Sequence, residues 1–208
     1  RHHRARLTKS GQVEFRSTID LDHPRCRRRC HCTTGPPSAP SATRSTLSFN
    51  ASQPVQRTPP NRTPPASSYG PLCAAFYDAD KPNASDEEIA WYDARLPRDA
   101  GPVLDVMCGS GRLLAPLVER GHNLHGVDAS AAMLARCEQR LDAAGCRAML
   151  FRQDVATLNL PFRYAAAFVA AGSFQLLVDP QAAKRALERV RAHLVPPGRL
   201  LMQCFVPA

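Results

Sequence analysis

The chain has 208 residues, of which 44% are hydrophobic and 22% charged, and this is enough for one domain of ordinary size plus a tail. Its longest wholly apolar stretch, Tyr164–Ala171, is far shorter than the roughly 20 residues that a bilayer-spanning helix needs, so a spanning helix is excluded. The net charge of +9 would suit an acidic partner such as nucleic acid. All of that charge lies in residues 1–70, however, and residues 71–208 are neutral.

Residues 1–68 are predicted to form a disordered basic tail rich in Pro, Ser and Arg. Nine of the 19 prolines lie here, and such a segment buries too little apolar surface to offset the entropy of ordering. We interpret its arginines as solvated, so nucleic acid is not the expected partner. A metal site at Cys26, Cys30, His31 and Cys32 is not expected either, because their spacing fits no common zinc pattern. Since no leader precedes the eight cysteines, we expect reduced thiols and a cytoplasmic protein.

Apolar strands alternate with amphipathic helices after residue 69. Ser85 and Glu88 form a capping-box pattern, which predicts a helix over residues 86–95. Further helices are predicted at 111–120, 131–143 and 181–194, and strands at 102–107, 123–127, 148–152, 165–171 and 200–205. This alternation predicts an α/β domain over residues 69–208, with an open, mostly parallel sheet and helices on both of its faces.

The most informative segment is Val103–Arg112, where a buried strand runs into a glycine-containing loop. Ligands of such sheets bind at the carboxyl ends of the strands, and glycines allow them to approach the backbone. A dinucleotide fingerprint needs a third glycine where Leu114 stands, which argues against a nicotinamide oxidoreductase. Asp105 lies four residues before Gly109 and would repel a pyrophosphate. It would suit a ligand that carries a cationic amine.

Two more acids end the next two predicted strands. Asp128 can accept hydrogen bonds from ribose hydroxyls, and Asp154 can accept one from the exocyclic amine of adenine. Three acids at three successive strand ends would suit an adenosine ligand that has an amino group and no phosphate.

These residues form part of a series of motifs that resembles the class I S-adenosylmethionine-dependent methyltransferases, of the small bacterial type. VLDVMCGSGRLLAPLVERGHNLHGVDASAAMLARC resembles the first two motifs of that family, and FRQD, AAAFVAAGSFQLL and HLVPPGRLLM resemble the next three. The resemblance covers about residues 69–208 and implies a Rossmann-like fold and S-adenosylmethionine as the cofactor. Each of the five motifs alone would be weak evidence for the family, but their order and spacing in this chain make the set specific.

The resemblance also implies roles for individual residues. Asp105 and the loop backbone at Met107, Cys108, Gly109, Ser110 and Gly111 would hold the methionine moiety. Asp128 and Ala129 would lie at the ribose, Met133 and Val155 beside the adenine, Asp154 at its amine, and Ala171 near the methyl donor. Tyr77 would close over the cofactor. The helical spacing of Met133 favours a core position over an adenine contact, and turn or capping positions are the less favoured alternatives for Asp105, Asp128 and Asp154.

The chain departs from the family in three respects, one of which is Pro196-Pro197-Gly198 in place of the usual Pro-Gly-Gly. Met107 replaces the first glycine of the loop. The chain also ends after the fifth predicted strand, whereas the family sheet has seven, and this predicts an incomplete domain with an exposed sheet edge.

The predicted function is methyl transfer to an unidentified small molecule, with Ser173 and Gln175 on the acceptor side. No catalytic base can be named, since nothing in the sequence places His122 or His125 near the methyl group, and the oligomeric state is open. The alternatives are a non-catalytic cofactor-binding remnant and a nucleic-acid-binding protein that acts through the basic tail.

Overall fold

The computed structural model describes residues 69–205 and two strands before them, β1 (His3–Leu7) and β2 (Gln12–Ser17). The other residues of the first 68, including the cysteine and histidine cluster, lie outside the described residues, as do residues 206–208. All described strands belong to one sheet, in the order β1-β2-β7-β6-β3-β4-β5.

Five of these strands are parallel to one another and come from the predicted domain: β3 (Val103–Val106), β4 (Leu124–Asp128), β5 (Met149–Arg152), β6 (Tyr164–Val169) and β7 (Leu194–Gln203). The helices are α1 (Pro71–Asp80), α2 (Asp86–Asp93), α3 (Leu114–Glu119), α4 (Ala131–Ala143) and α5 (Pro180–His193). The Rossmann-like α/β fold expected from the motifs is therefore confirmed.

The central strands are buried on both faces, which is why they appear in the sequence as short apolar runs. One apolar cluster packs between the sheet and α2, α3 and α4, with Tyr92, Leu117 and Phe168 at its centre. A second cluster fills the opposite face beneath α5, around Leu158, Tyr164 and Val190. The strand order reverses between β3 and β6, so ligands are expected at the carboxyl ends of these strands.

Helix α1 was not predicted from the sequence, although Pro71 occupies its first turn, a position that proline favours. Helix α3 is shorter than the predicted 111–120 because the loop before it extends to Leu113. Pro116 consequently falls in the first turn of α3, where a missing N–H costs no intrahelical bond. Strand β7 begins before the predicted 200–205, and its pairing with β6 is irregular between Tyr164 and Ala166.

The edge of the sheet at β7 differs from the expectation. Strand β2 pairs antiparallel with β7, with Gln12 opposite Gln203 and Phe15 opposite Leu200, and β1 pairs antiparallel with β2. The edge expected to be exposed is thus covered by a hairpin of this chain, so its backbone groups are paired. These two strands lie within the predicted tail, and the disorder expected for residues 1–68 stays a prediction.

Within the described residues, no helix has the length and apolar character needed to cross a membrane.

Candidate functional site

A cavity of about 240 Å³ lies at the carboxyl ends of β3, β4, β5 and β6. The loop after each of these strands contributes to its wall, and residues of α1 and α4 complete the lining. The position agrees with the reversal in strand order, which leaves a crevice between the loops that follow β3 and β6.

The loop after β3 has an unusual backbone. Met107, Gly109 and Gly111 all have positive φ angles, of 59°, 56° and 76°. A side chain at Gly111 would place its Cβ 2.5 Å from Cys137 Sγ, so a glycine is needed there for close packing against α4. Met107 adopts the left-handed conformation despite its side chain, which costs about 1 kcal/mol. The loop therefore stores some backbone strain directly under the cavity.

The Asp105 side chain lines this cavity from β3, in the middle of the sheet. Its residue is only 3% exposed, and no hydrogen bond or ion pair to its carboxylate occurs within the described residues. Burial, followed by the nearby charge of Asp128, raises the pKa of Asp105 well above its ordinary value. A buried carboxylate without a partner is costly, and a cationic group in the cavity would relieve that cost.

Asp128 holds the loops that surround it. Its two carboxylate oxygens accept hydrogen bonds from the backbone N–H of Gly109, at 2.9 Å, and of Ser130, at 2.8 Å. Burial raises the pKa of Asp128, and these backbone hydrogen bonds oppose the shift. Asp128 lines the cavity while it ties the β3 loop to the start of α4. Each carboxylate oxygen retains a further lone pair for a ligand hydroxyl.

Asp154 has a similar double position after β5. One of its carboxylate oxygens accepts from the N–H of Ala156, at 2.7 Å, and caps the 3₁₀ turn Val155–Thr157. The second oxygen is free to accept from a ligand, since Asp154 also lines the cavity. Val155 and Met133 form apolar walls nearby, and both are buried.

Three arginines, one in the loop after β3 and two in α4, bind the α1–α2 segment, residues 71–93. Arg112 forms two hydrogen bonds with Glu88, at 2.7 and 2.9 Å, in a pair that is 13% and 14% exposed. Arg136 binds Asp78 at 2.9 Å, and Arg140 donates to the carbonyl oxygen of Pro82 at 2.7 Å. These contacts place Tyr69 and Tyr77, whose rings meet edge to face, in the wall of the cavity.

A second cavity, of about 430 Å³, adjoins the first and shares Tyr77, Arg112 and Ala171 with it. It lies between the α1–α2 segment and the residues that end β7, Gln203 and Phe205. Ala171, at the junction, has a φ of 54°, and the adjacent Gly172 has a φ of 66°. Two successive left-handed residues turn the chain sharply after β6.

The end of β7 clamps this turn. Gln203 Oε1 accepts a hydrogen bond from the N–H of Ala171, at 2.9 Å. Gln175 Oε1 accepts from the N–H of Phe205, and its Nε2 donates to the carbonyl oxygen of Phe205. Both ends of the Gln175 amide contact the backbone of Phe205 and the residue lines neither cavity, so its predicted contact with the acceptor stays a prediction that the two cavities do not support. Ser173 does line the first cavity.

The structure brings most of the predicted cofactor residues to one place. Twelve of them line the first cavity: Tyr77, Asp105, Met107, Cys108, Gly109, Ser110, Asp128, Ala129, Met133, Asp154, Val155 and Ala171. Gly111 does not line it and serves the packing against Cys137 instead. Sequence reasoning missed Arg112 and Tyr69, since no local pattern marks a residue that pairs with a distant helix.

The two histidines considered as bases lie elsewhere. His122 pairs with Asp93 at 2.7 Å, and His125 is packed among Phe151, Phe162 and Tyr164. Burial lowers the pKa of His125 to about 4, so it is neutral at physiological pH. Neither residue lines either cavity, and no residue is assigned as the base.

The chain is similar to known methyltransferases in sequence. The model of a family described as a methyltransferase domain matches residues 103–198. An uncharacterized methyltransferase of Mycobacterium tuberculosis is 34% identical over 124 residues, which cover 60% of each chain. The cypemycin N-terminal methyltransferase of a Streptomyces species is 27% identical over 120 residues, or 58% of this chain and 48% of that protein. The chain spans 21% to 60% of the length of the curated relatives it matches.

Solved structures are similar in fold. The glycopeptide N-methyltransferase MtfA in complex with S-adenosylmethionine has a TM-score of 0.51 and 27% identity, over 55% of this chain and 52% of that one. CalS10, an amino pentose methyltransferase from Micromonospora echinaspora solved with the same cofactor bound, has a TM-score of 0.54 and 26% identity, over 67% and 58%. Together with the motifs and the position of the cavity, these similarities identify residues 103–198 as a methyltransferase domain and support the resemblance to the class I S-adenosylmethionine-dependent methyltransferases.

Proposed function

We propose that the chain transfers the methyl group of S-adenosylmethionine to a small-molecule acceptor that enters through the second cavity. The observation that carries this proposal is Asp105, a buried carboxylate without a partner in the described residues, at the floor of a cavity formed by strand ends. An α-amino group, which is cationic at neutral pH, has the charge that this carboxylate needs.

The other residues of the first cavity fit an adenosine ligand. Asp128 and Asp154 each keep acceptor capacity for a hydroxyl and an amine, and Met133 and Val155 supply apolar surface for a ring. Ser110 Oγ is buried and has no hydrogen-bond partner among the described residues, so it is available to a carboxylate or hydroxyl of the ligand. A phosphate group would be repelled by three acids. These individual residue roles remain part of the proposal.

The chemistry assigned to the protein is mainly orientation. When bound, S-adenosylmethionine supplies an electrophilic methyl group on a sulfonium, so the side chains need not activate the donor. Asp105 and Asp128 would fix the two ends of the cofactor, and the clamped turn at Ala171 would form the wall between donor and acceptor. Tyr77, held by the arginine contacts of the α1–α2 segment, would exclude water.

The names of similar proteins favour nitrogen as the methylated atom. MtfA is named a glycopeptide N-methyltransferase, CalS10 an amino pentose methyltransferase, and the Streptomyces relative methylates the N-terminus of cypemycin by its name. In an N-methylation the nitrogen lone pair forms the new C–N bond as the C–S bond breaks, and the amine proton is lost to solvent. The cytoplasmic location expected from the sequence stays a prediction.

A thermal-shift screen with S-adenosylmethionine, S-adenosylhomocysteine and NAD tests the cofactor assignment. A ligand present at 100 times its Kd adds about 2.7 kcal/mol of stability, which is easily measured. We expect a shift with the two sulfur compounds and none with NAD. The absence of a shift with all three would refute the proposal.

Met107 provides a specific reason to test a second candidate, a protein that binds the cofactor without turning it over. Its side chain stands in a left-handed position where the family has glycine. Transfer of a labelled methyl group to any of a panel of primary amines excludes this candidate, whereas tight binding without transfer supports it. Steep salt-dependent binding of RNA would instead support the basic tail as the active part.

A further inference from the structure

The second cavity contains charged side chains, but they are paired with one another. Arg112 and Glu88 form the two-bonded pair described above, and Lys81 lies in direct contact with Asp80. Within residues 69–205, the cavity therefore offers no charged side chain without a partner to hold an ionic ligand. Its free polar groups are neutral, and this favours a ligand that presents neutral oxygen atoms.

Gln203 is the most specific of these neutral groups. The donor at Ala171 is a backbone N–H, so the atom of Gln203 that faces it must be the carbonyl oxygen. The orientation of the amide is thereby set by the hydrogen bond. The other end of the amide is Nε2, which has no hydrogen-bond partner within the described residues. Gln203 lines the second cavity.

The position of Gln203 links the two cavities. Ala171 lines both of them, and its left-handed backbone is held in place by the Gln203 side chain. A ligand group bound to Nε2 would contact the same planar amide whose Oε1 accepts from the N–H of Ala171 in the turn after β6. Binding of the acceptor and placement of this turn would then depend on a single side chain.

We propose that Gln203 is a specificity-determining residue for the acceptor, in which Nε2 donates to a hydroxyl or ether oxygen of the acceptor and Oε1 positions Ala171. This inference rests on the proposed function, because it takes the second cavity as the acceptor site. It assigns the acceptor to molecules that carry a hydroxyl or ether oxygen beside the methylated atom, and excludes those whose only polar group is the methylated atom.

The test uses the full chain saturated with S-adenosylhomocysteine and two probes, D-glucosamine and cyclohexylamine. The two probes share a six-membered ring and an amine, but only glucosamine has ring and hydroxyl oxygens. We expect glucosamine to bind more tightly than cyclohexylamine by calorimetry or saturation-transfer NMR. Equal affinity for the two probes, or no binding of glucosamine to the loaded protein, would overturn the inference.

The variant Gln203→Glu separates the two ends of the side chain. A carboxylate can still accept from the N–H of Ala171, but it cannot donate from the other end. At a pH where both probes are protonated, the added negative charge acts equally on their two ammonium groups. We therefore expect the ratio of glucosamine to cyclohexylamine affinity to fall by about 3- to 10-fold, as for the loss of one hydrogen bond, with the affinity for S-adenosylhomocysteine unchanged within a factor of about two. An unchanged ratio would contradict the role of Nε2.

Gln175→Met is the matched control. Gln175 clamps the same two segments through its amide but lines neither cavity. Its loss should lower the Tm and leave the ratio of glucosamine to cyclohexylamine affinity unchanged. If this variant changes the ratio as much as Gln203→Glu does, the effect belongs to the clamp as a whole and the proposal fails. Failure of S-adenosylhomocysteine to bind at all would instead refute the proposed function.

Discussion

The two halves of the sheet hold their parts of the site in different ways. On the side of β3, β4 and β5, the loops are fixed by local backbone turns and by contacts between neighbouring motifs, such as Asp128 with Gly109, which are 19 positions apart. On the side of β6 and β7, the turn at Ala171 is fixed by residues about 30 positions later, through the side chain of Gln203 and through the backbone of Phe205, which binds the Gln175 amide. The first half is therefore built into consecutive motifs, and the second depends on the strand pairing that brings distant residues together.

The difference has a consequence for how each half can change. The first half carries buried acids and close packing under its loop, with Cys137 directly behind Gly111. The second half carries neutral amides and an exposed ring, Phe205, at 63% exposure. Substitutions of the same kind should accordingly cost more in the first half than in the second.

Asp105→Asn should produce the largest effect. The substitution removes the charge that would pair with an amine in the cavity, and loss of one member of a buried ion pair costs about 3 kcal/mol or more. We expect the affinity for S-adenosylmethionine to fall by about 100-fold or more, measured by calorimetry. An affinity within a factor of about three of the wild type would remove Asp105 from the cofactor site.

The same variant should be more stable than the wild type when no ligand is bound. The pKa of Asp105 is raised by burial, so above pH of about 4 the unfolded carboxyl loses its proton while the folded one retains it. This group therefore makes the stability of the protein fall as the pH rises through that window, and the fall ends above the raised folded pKa. Urea unfolding of Asp105→Asn should lack this part of the pH dependence, and an identical pH profile in both proteins would contradict it.

Gly111→Ala and Gly172→Ala compare the two halves directly. Both glycines have positive φ angles and a neighbouring side-chain atom within 2.5 Å of the added Cβ. Cys137 is buried in α4 and cannot move away, whereas the Phe205 ring is exposed and can. We expect a loss of about 3 kcal/mol at Gly111, from backbone strain and overpacking, and of about 1 kcal/mol at Gly172, from strain alone.

Urea denaturation curves of these two variants provide the measurement. A further variant, Gly109→Ala, has a positive φ but no atom within 4 Å of the added Cβ, so it isolates the cost of the backbone conformation. Equal losses at Gly111 and Gly172 would show that the two halves do not differ in rigidity.

Asp128→Ala should weaken cofactor binding by about 10- to 100-fold, since hydrogen bonds to a charged group contribute roughly 1.5–3 kcal/mol. Part of this loss would come through the loop, because the N–H groups of Gly109 and Ser130 lose their acceptors. Asp128→Asn keeps one side-chain oxygen as an acceptor, so its affinity for the cofactor should lie between those of the wild type and Asp128→Ala. Calorimetry that finds no change in Asp128→Ala would contradict the ribose role.

Glu88→Gln should have the smallest effect, a loss of about 1 kcal/mol in unfolding free energy, because Arg112 loses its charged partner in a mostly buried pair. Glu87→Gln is the matched control, in the same helical turn but on the exposed side. It should change stability by less than about 0.5 kcal/mol. If both substitutions had the same effect, the Arg112–Glu88 pair would not stabilise the position of the α1–α2 segment.

The first half of the site was largely predictable from sequence. Asp105 lies one residue before the end of a short apolar strand, Asp128 ends the next one and Asp154 follows the third, and parallel strands bring their carboxyl ends to one edge. The second half was not predictable. Gln175 was assigned to the acceptor because it follows a strand, but it is consumed by the backbone of Phe205, and Gln203 was not considered.

By itself the sequence determined the α/β fold, the family resemblance and the place of the cofactor cavity, because each of these depends on local patterns: apolar strands, capping residues and glycines close to one another in the chain. Only the tertiary structure decided which side chains keep hydrogen-bonding groups without a partner. Whether the amide of Gln175 or of Gln203 is bound to the backbone at both ends, whether Glu88 reaches Arg112, and whether β7 is an exposed edge all depend on contacts between distant segments. Hydrogen-bonding capacity that one distant partner has already used is not available to a ligand, and no local pattern records that use.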